Sequence, residues 1–310
     1  MSAEARMDEI LKDTNEVHPQ LLLKGLKPAK PFFIGIDSDG CVFDTMVIKQ
    51  MECFCPSLIK NFELQLIADY VRETWEFVSL YSKNRGANRF IALVETIKLL
   101  GDRPEVRAFK DVLPDLTPVV EWINNETRLG NPALKKYASE TANPIIDKAL
   151  CWSLESNEMM VKSVGGVSPF DNVIQALEKI HEKADAVVVS QCAGEVLEFE
   201  WDNHEMGGLV YGIAGQEYGS KTEQLAIAAV GKYPAKQILM IGDAPGDKKA
   251  AENNGVLFFP IIPGQEVGSW KRFDEEGLDR FLQGRFAGAY QRALIEEYDD
   301  HLADVPPWSK

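Results

Sequence analysis

One stretch limits the fold more than any other: residues 31–45, PFFIGIDSDGCVFDT. Phe32, Phe33, Ile34 and Ile36 make a short apolar run of β-formers with no polar break, which predicts a strand buried on both faces. The run stops at Asp37-Ser38-Asp39-Gly40. Two carboxylates therefore leave the C-terminal end of a buried strand, and Gly40 lets the backbone turn sharply behind them. Asp and Gly are also ordinary turn formers, so the stretch alone is equally compatible with a turn. In an open α/β sheet, however, that strand mouth is where ligands bind. Neighbouring carboxylates repel unless a cation or a shifted proton relieves them.

The rest of the chain places this strand in a larger pattern. After Gly165-Gly166, short apolar strands alternate with amphipathic helices. Phe170–Glu182, Glu195–Asp202, Lys221–Val230 and Asp247–Asn253 are predicted helices. Ala186–Val189, Leu209–Ala214, Ile238–Ile241 and Val256–Ile262 are predicted strands. Alternation of this length predicts an α/β core with a doubly wound, parallel, Rossmann-like sheet. Residues 46–166 differ: apolar side chains recur at helical spacing in Ile59–Glu76, Arg89–Leu100, Leu116–Asn125 and Pro144–Lys162. The expected organisation is an N-terminal extension (1–30), a discontinuous catalytic core (31–45 and 167–310) and an inserted, mainly helical cap (46–166). Ala3–Lys12 is expected to form a short amphipathic helix, and Asp279–His301 a long one.

With 310 residues the chain can bury one large core or two ordinary ones. Its net charge of -15 argues against a non-specific grip on nucleic acid or an anionic membrane. The five cysteines (Cys41, Cys53, Cys55, Cys151, Cys192) are odd in number and lack zinc-site spacing, as expected of free thiols in a reducing compartment. With no signal-like start and no membrane-length apolar run, the expectation is a soluble, cytoplasmic protein.

Three further polar strand ends or helix starts accompany Asp37. The strand ending at Val189 runs into Ser190-Gln191-Cys192-Ala193-Gly194 and then a helix, which offers a hydroxyl and loop amides to an anion. Lys221 opens a helix, where its charge opposes the helix dipole. The strand ending at Ile241 runs into Gly242-Asp243-Ala244-Pro245-Gly246-Asp247, a second carboxylate pair. Each has a purely structural explanation: an N-cap, a surface lysine, a turn. Together, in this order on one inferred sheet, they gather four carboxylates that would repel by several kcal/mol per pair at an effective dielectric of about 20. One lysine and a divalent cation would balance them, and Mg²⁺ suits hard oxygen ligands that leave room for phosphate and water.

These motifs resemble those of the haloacid dehalogenase superfamily of phosphohydrolases, over roughly residues 31–45 and 167–264. The insertion between the first and second motifs resembles the helical cap of the phosphoglycolate phosphatase and β-phosphoglucomutase branch. The resemblance implies Asp37 as nucleophile, Asp39 as general acid and base, and Ser190 and Lys221 as grips on the transferring phosphoryl group. Gln191 is included in the phosphate loop. The implied metal ligands are Asp37, Asp39 (through its carbonyl), Asp243 and Asp247. The expected activity is a Mg²⁺-dependent phosphatase acting on a small phosphorylated metabolite; a phosphomutase or phosphonate hydrolase is the alternative, and a catalytically silent binding module on the same fold ranks below both. Cap candidates for substrate contact are Lys49, Arg85 and Arg89, the last two in the cationic stretch Lys83–Arg89. The cap is expected to hinge at Gly165-Gly166 and close as a lid.

Overall fold

The structure, a computed structural model, describes residues 20–127, 129–163 and 166–309. The expected helix at 3–12 and the hinge residue Gly165 lie outside these. The chain divides into two compact units: Met1–Asp44 with Gly166–Tyr298, and Thr45–Gly165 with Asp299–Lys310. Among the described residues no helix is long and apolar enough to cross a membrane.

The first unit is an α/β fold around one five-stranded, wholly parallel sheet of order β3-β2-β1-β4-β5. Its strands are β1 (Phe32–Ile36), β2 (Ala184–Val189), β3 (Gly212–Ala214), β4 (Ile238–Gly242) and β5 (Leu257–Pro260). β1 is central because its apolar run can be covered on both faces. β2 and β3 extend from one side of it, β4 and β5 from the other. The winding direction reverses between β1 and β4, and the crevice beyond such a reversal is the usual ligand position. The helices Val173–Lys183, Lys221–Ala229 and Pro245–Asn254 match the expected amphipathic segments within a few residues.

The insertion leaves and re-enters this unit at one place. Phe43 pairs with Pro169, and the Phe170 amide donates to the Val42 carbonyl at 2.9 Å. Two expectations fail locally. The strand predicted from Leu209 forms only at Gly212–Ala214, because Gly207–Leu209 winds into a 3₁₀ turn. The helix predicted at 279–301 is two helices, Leu278–Leu282 and Ala289–His301, separated at Gly284 and Gly288, which adopt φ of 67° and 94°.

The second unit is helical, as its periodicity indicated. Cys55–Asn61, Ala68–Glu76, Arg89–Asp102, Thr117–Asn125, Asn131–Thr141 and Pro144–Ser163 supply most of it. Its core is aromatic: Trp75 meets Trp152 edge-on at 5.8 Å, and Phe90 meets Trp122 at 5.0 Å. Residues 299–310, expected in the core, belong here instead. The Ala303 amide donates to the Tyr81 carbonyl, Lys83 pairs with Asp304, and Trp308 lies against the Arg103 guanidinium and meets Phe77 edge-on. A C-terminal tryptophan finds its apolar and cationic partners in the aromatic helical unit.

Candidate active site

The ladders place the chemistry-bearing residues. Parallel register pairs Ile36 with Val188 and with Ile241. Each ladder then runs one rung past its strand. The Asp37 amide donates to the Ile241 carbonyl at 2.9 Å, and the Ser190 amide to the Ala214 carbonyl at 3.0 Å. Asp37 and Ser190 are thus backbone-fixed members of the sheet margin rather than loop residues. Beyond Asp37 the chain turns back tightly. The Ser38 carbonyl accepts from the amides of Cys41, Val42 and Phe43, and Gly40 takes φ of 75°, which a side chain would strain. Buried indoles hold this turn from below. Trp201 Nε1 donates to Ser38 Oγ at 3.0 Å and Trp270 Nε1 to the Cys41 carbonyl at 2.7 Å.

At the end of β4 a similar economy applies. Asp247, in the first turn of Pro245–Asn254, folds its carboxylate back so that Oδ2 accepts from the Ala244 amide at 3.0 Å. This is possible because residue 242 is glycine: a Cβ there would lie 2.3 Å from the Asp247 carboxyl carbon. Tyr298 donates its hydroxyl to the Asp243 carbonyl at 3.1 Å, fixing the other end of the turn.

Asp37, Asp243 and Asp247 converge as a buried group, each offering an oxygen within 4.8 Å of the others. Lys221 Nζ lies 2.6 Å from Asp37 Oδ2 and 2.6 Å from Asp247 Oδ1. The second Asp37 oxygen accepts from the Ser38 amide at 2.8 Å. Burial alone would depress the Lys221 ammonium, but Asp247 and Asp37 outweigh it and hold the lysine protonated well beyond its usual range. Asp247 moves upward, first through burial and then through Asp37; Lys221 opposes but does not cancel this. Lys221 pairs with two of these carboxylates, and the third, Asp243, lies within the same buried group. A hard divalent cation fits that donor set: buried carboxylate oxygens, no sulfur or imidazole, within the span of one small ion.

Ser190 is buried, its hydroxyl accepting from the Cys192 amide at 3.1 Å. Asp39 stands partly exposed beyond Asp37 and lies outside the three-carboxylate group. Gln191 turns its amide to the Gly219 carbonyl at 2.9 Å, so its side chain ties two loops together.

The cap candidates lie in the helical unit, and two of them have structural work there. Arg85 is buried and donates to the Leu80 carbonyl; Arg89 donates to Ser153 and Asn157 and lies over the Phe54 ring at 4.6 Å. Neither is the solvated loop cation that composition alone would suggest. Lys49 is buried within the π-helical segment Ile48–Phe54. The supports that pattern reading missed are Gln224, Gly242, Trp201, Trp270 and Tyr298. Gln224 left a trace: three residues after Lys221 on a helix, it shares that lysine's face.

No family model matches the chain, and no curated protein matches it. Several solved structures do resemble it. A haloacid dehalogenase-like hydrolase from Xanthomonas campestris is 11% identical with a TM-score of 0.45, covering 83% of this chain and 94% of that one. A candidate β-phosphoglucomutase from Bacteroides vulgatus is 14% identical with a TM-score of 0.42, covering 92% and 99%. A candidate haloacid dehalogenase-superfamily hydrolase from Bacillus subtilis, described as bound to magnesium, is 17% identical with a TM-score of 0.39, covering 74% and 86%. These likenesses are remote, and the roles of this chain's residues rest on its own geometry.

Proposed function

We propose that the protein is a Mg²⁺-dependent phosphatase of the haloacid dehalogenase type, hydrolysing a small phosphorylated metabolite through an aspartyl-phosphate. One observation carries this reading: Lys221 bridges Asp37 and Asp247 at 2.6 Å each, within a buried carboxylate group beyond the adjacent strands β1 and β4. Asp37, Asp243 and Asp247, with the Asp39 carbonyl, would hold the metal. When bound, it would neutralise carboxylate charge and draw charge from the phosphoryl oxygens.

The chain's own residues supply the rest. An Asp37 carboxylate oxygen attacks phosphorus, and the bond from phosphorus to the leaving alcohol oxygen breaks. Asp39 gives its proton to that oxygen and the alcohol departs. Asp39 then takes a proton from a water that attacks the phosphoryl group; the Asp37–phosphorus bond breaks, releasing orthophosphate and restoring the carboxylate. The Ser190 hydroxyl and the Lys221 ammonium hold the transferring oxygens. The test is orthophosphate release over a panel of small phosphate esters, with Mg²⁺ and after chelation. Release that needs the metal is expected. No turnover of any ester would overturn the reading, and isomerised ester without free phosphate would redirect it to a mutase.

A further inference from the structure

The two groups that would grip the phosphoryl oxygens come from different places. Ser190 follows β2, whereas Lys221 follows the turn beyond β3. Nothing in the sheet ladder sets the distance between a side chain on one and a side chain on the other. Gln224 spans that gap. It is fully buried on the helix Lys221–Ala229, one turn beyond Lys221. Its Nε2 donates to three carbonyls: Ser190 at 2.9 Å, Gly215 at 2.8 Å and Gly219 at 2.9 Å. These are the residue of the proposed grip itself, the end of β3, and the turn that launches the lysine helix.

The orientation of this amide has one solution. Reversing it would aim Oε1 at three carbonyl oxygens, so the hydrogen-bond network fixes which end points inward. Oε1, meanwhile, is buried with no hydrogen-bond partner among the described residues. The neighbouring contacts join the same two loops. Gln191 Nε2 donates to the Gly219 carbonyl, the Gln216 amide to the Cys192 carbonyl at 2.8 Å, and the Gly194 amide to Glu217 at 3.2 Å. Gln191 Nε2 also reaches the Ser190 carbonyl at 3.3 Å from an exposed side chain, whereas Gln224 holds the Ser190, Gly215 and Gly219 carbonyls together from a fully buried position.

Resting on the phosphatase reading above, we propose that Gln224 is a positioning residue: its side-chain amide locks the Ser190 loop to the start of the Lys221 helix and so sets the spacing of the phosphoryl grip. A misplacement of about 1 Å at such a site can cost about 10²-fold in rate. The probe is orthovanadate, a phosphate-shaped inhibitor that reports on the grip and not on the leaving group. Gln224→Met keeps the volume and removes the donors; Gln224→Asn keeps the amide but shortens its reach. In folded protein, Gln224→Met is expected to weaken orthovanadate inhibition at least tenfold and to lower kcat/KM by a similar factor for esters with unlike leaving groups. Gln224→Asn should fall between it and the parent. The Mg²⁺-induced rise in melting temperature should persist, because Asp37, Asp243 and Asp247 follow β1 and β4. A merely structural glutamine would lower the melting temperature and leave inhibition per folded molecule unchanged. Cooperatively folded Gln224→Met or Gln224→Asn that is inhibited like the parent would overturn the proposal while the phosphatase reading stands. A parent protein that neither releases phosphate nor responds to orthovanadate would overturn both.

Discussion

The two units treat buried charge in opposite ways. In the α/β unit, Asp37, Asp243 and Asp247 are packed together, and Lys221 pairs with two of them. In the helical unit, the buried Arg85 and Arg103 and the half-buried Arg89 are dispersed, and acceptors or rings meet each of the three. Arg103, 3% exposed in its side chain, donates to Glu73 at 2.6 Å and lies between the Tyr70 and Trp308 rings. Arg85 meets a carbonyl; Arg89 meets a serine, an asparagine and a phenylalanine face. A cation matched one to one by acceptors and aromatic faces stabilises packing. A cation shared between packed carboxylates marks a place that needs another ligand. Substitutions in the first unit should therefore damage turnover more than stability, and those in the second the reverse.

The sharpest break of that comparison is Asp37→Asn. Turnover is expected to fall by at least about 10³-fold, as for loss of a nucleophile. The metal-free melting temperature should hold or rise, because one charge leaves a group of packed carboxylates. Phosphate release and thermal denaturation on the same preparation check both halves. Gly242→Ala comes next. The new Cβ would fall 2.3 Å from the Asp247 carboxyl carbon, so that side chain must leave its place beside Lys221. A loss of about 10²-fold in kcat/KM is expected, with about 1–3 kcal/mol of stability lost to overpacking; a variant with unchanged kinetics would show that Asp247 placement is unimportant.

In the helical unit, Trp308→Ala removes the ring over Arg103 and the edge contact with Phe77. Chemical denaturation should show a loss of about 1–3 kcal/mol, while turnover per folded molecule stays near the parent's. A fall in turnover as large as that of Gly242→Ala would erase the distinction between the units. The smallest effect concerns thiols. Burial pushes the Cys55 thiol up to about 12 and holds Cys41 well above its ordinary value, with Asp243 and Asp37 adding to burial there. Raising a thiol in this way depletes the reactive thiolate at neutral and mildly alkaline pH. At pH 8, iodoacetamide should label exposed Cys151 and spare Cys55 and Cys41 in the native protein, as peptide mass spectrometry would show.

The central sheet was legible because its signals are local. An apolar run that stops at Asp37 or Asp243 announces a buried strand and its mouth without knowledge of anything distant, and parallel pairing follows from the alternation. The supports were not legible because they act across long separations. Trp270 reaches the Cys41 carbonyl and Tyr298 the Asp243 carbonyl over hundreds or tens of residues, and nothing near either aromatic in sequence marks it as a clamp. The break in the 279–301 helix was missed for a different reason: apolar spacing continues through it, while Gly284 and Gly288 adopt left-handed backbone that ends one helix and separates it from the next. The cationic stretch 83–89 offered Arg85 and Arg89 as substrate contacts, and composition carries no information on the carbonyl, serine and ring that meet them in the fold. Tail residues 299–310 lacked any pattern tying them to either unit; Trp308 finds Arg103 only in three dimensions.

The most direct test of the central claim is to catch the covalent intermediate. Enzyme turning over a phosphate ester in Mg²⁺ is quenched in acid, digested, and searched by mass spectrometry for a phosphorylated peptide, with borohydride reduction to locate the acyl phosphate. The account predicts label on the peptide spanning 31–45, at Asp37, and none in Asp37→Asn. Phosphate release at full rate with no covalent adduct, or an adduct on any other residue, would contradict it.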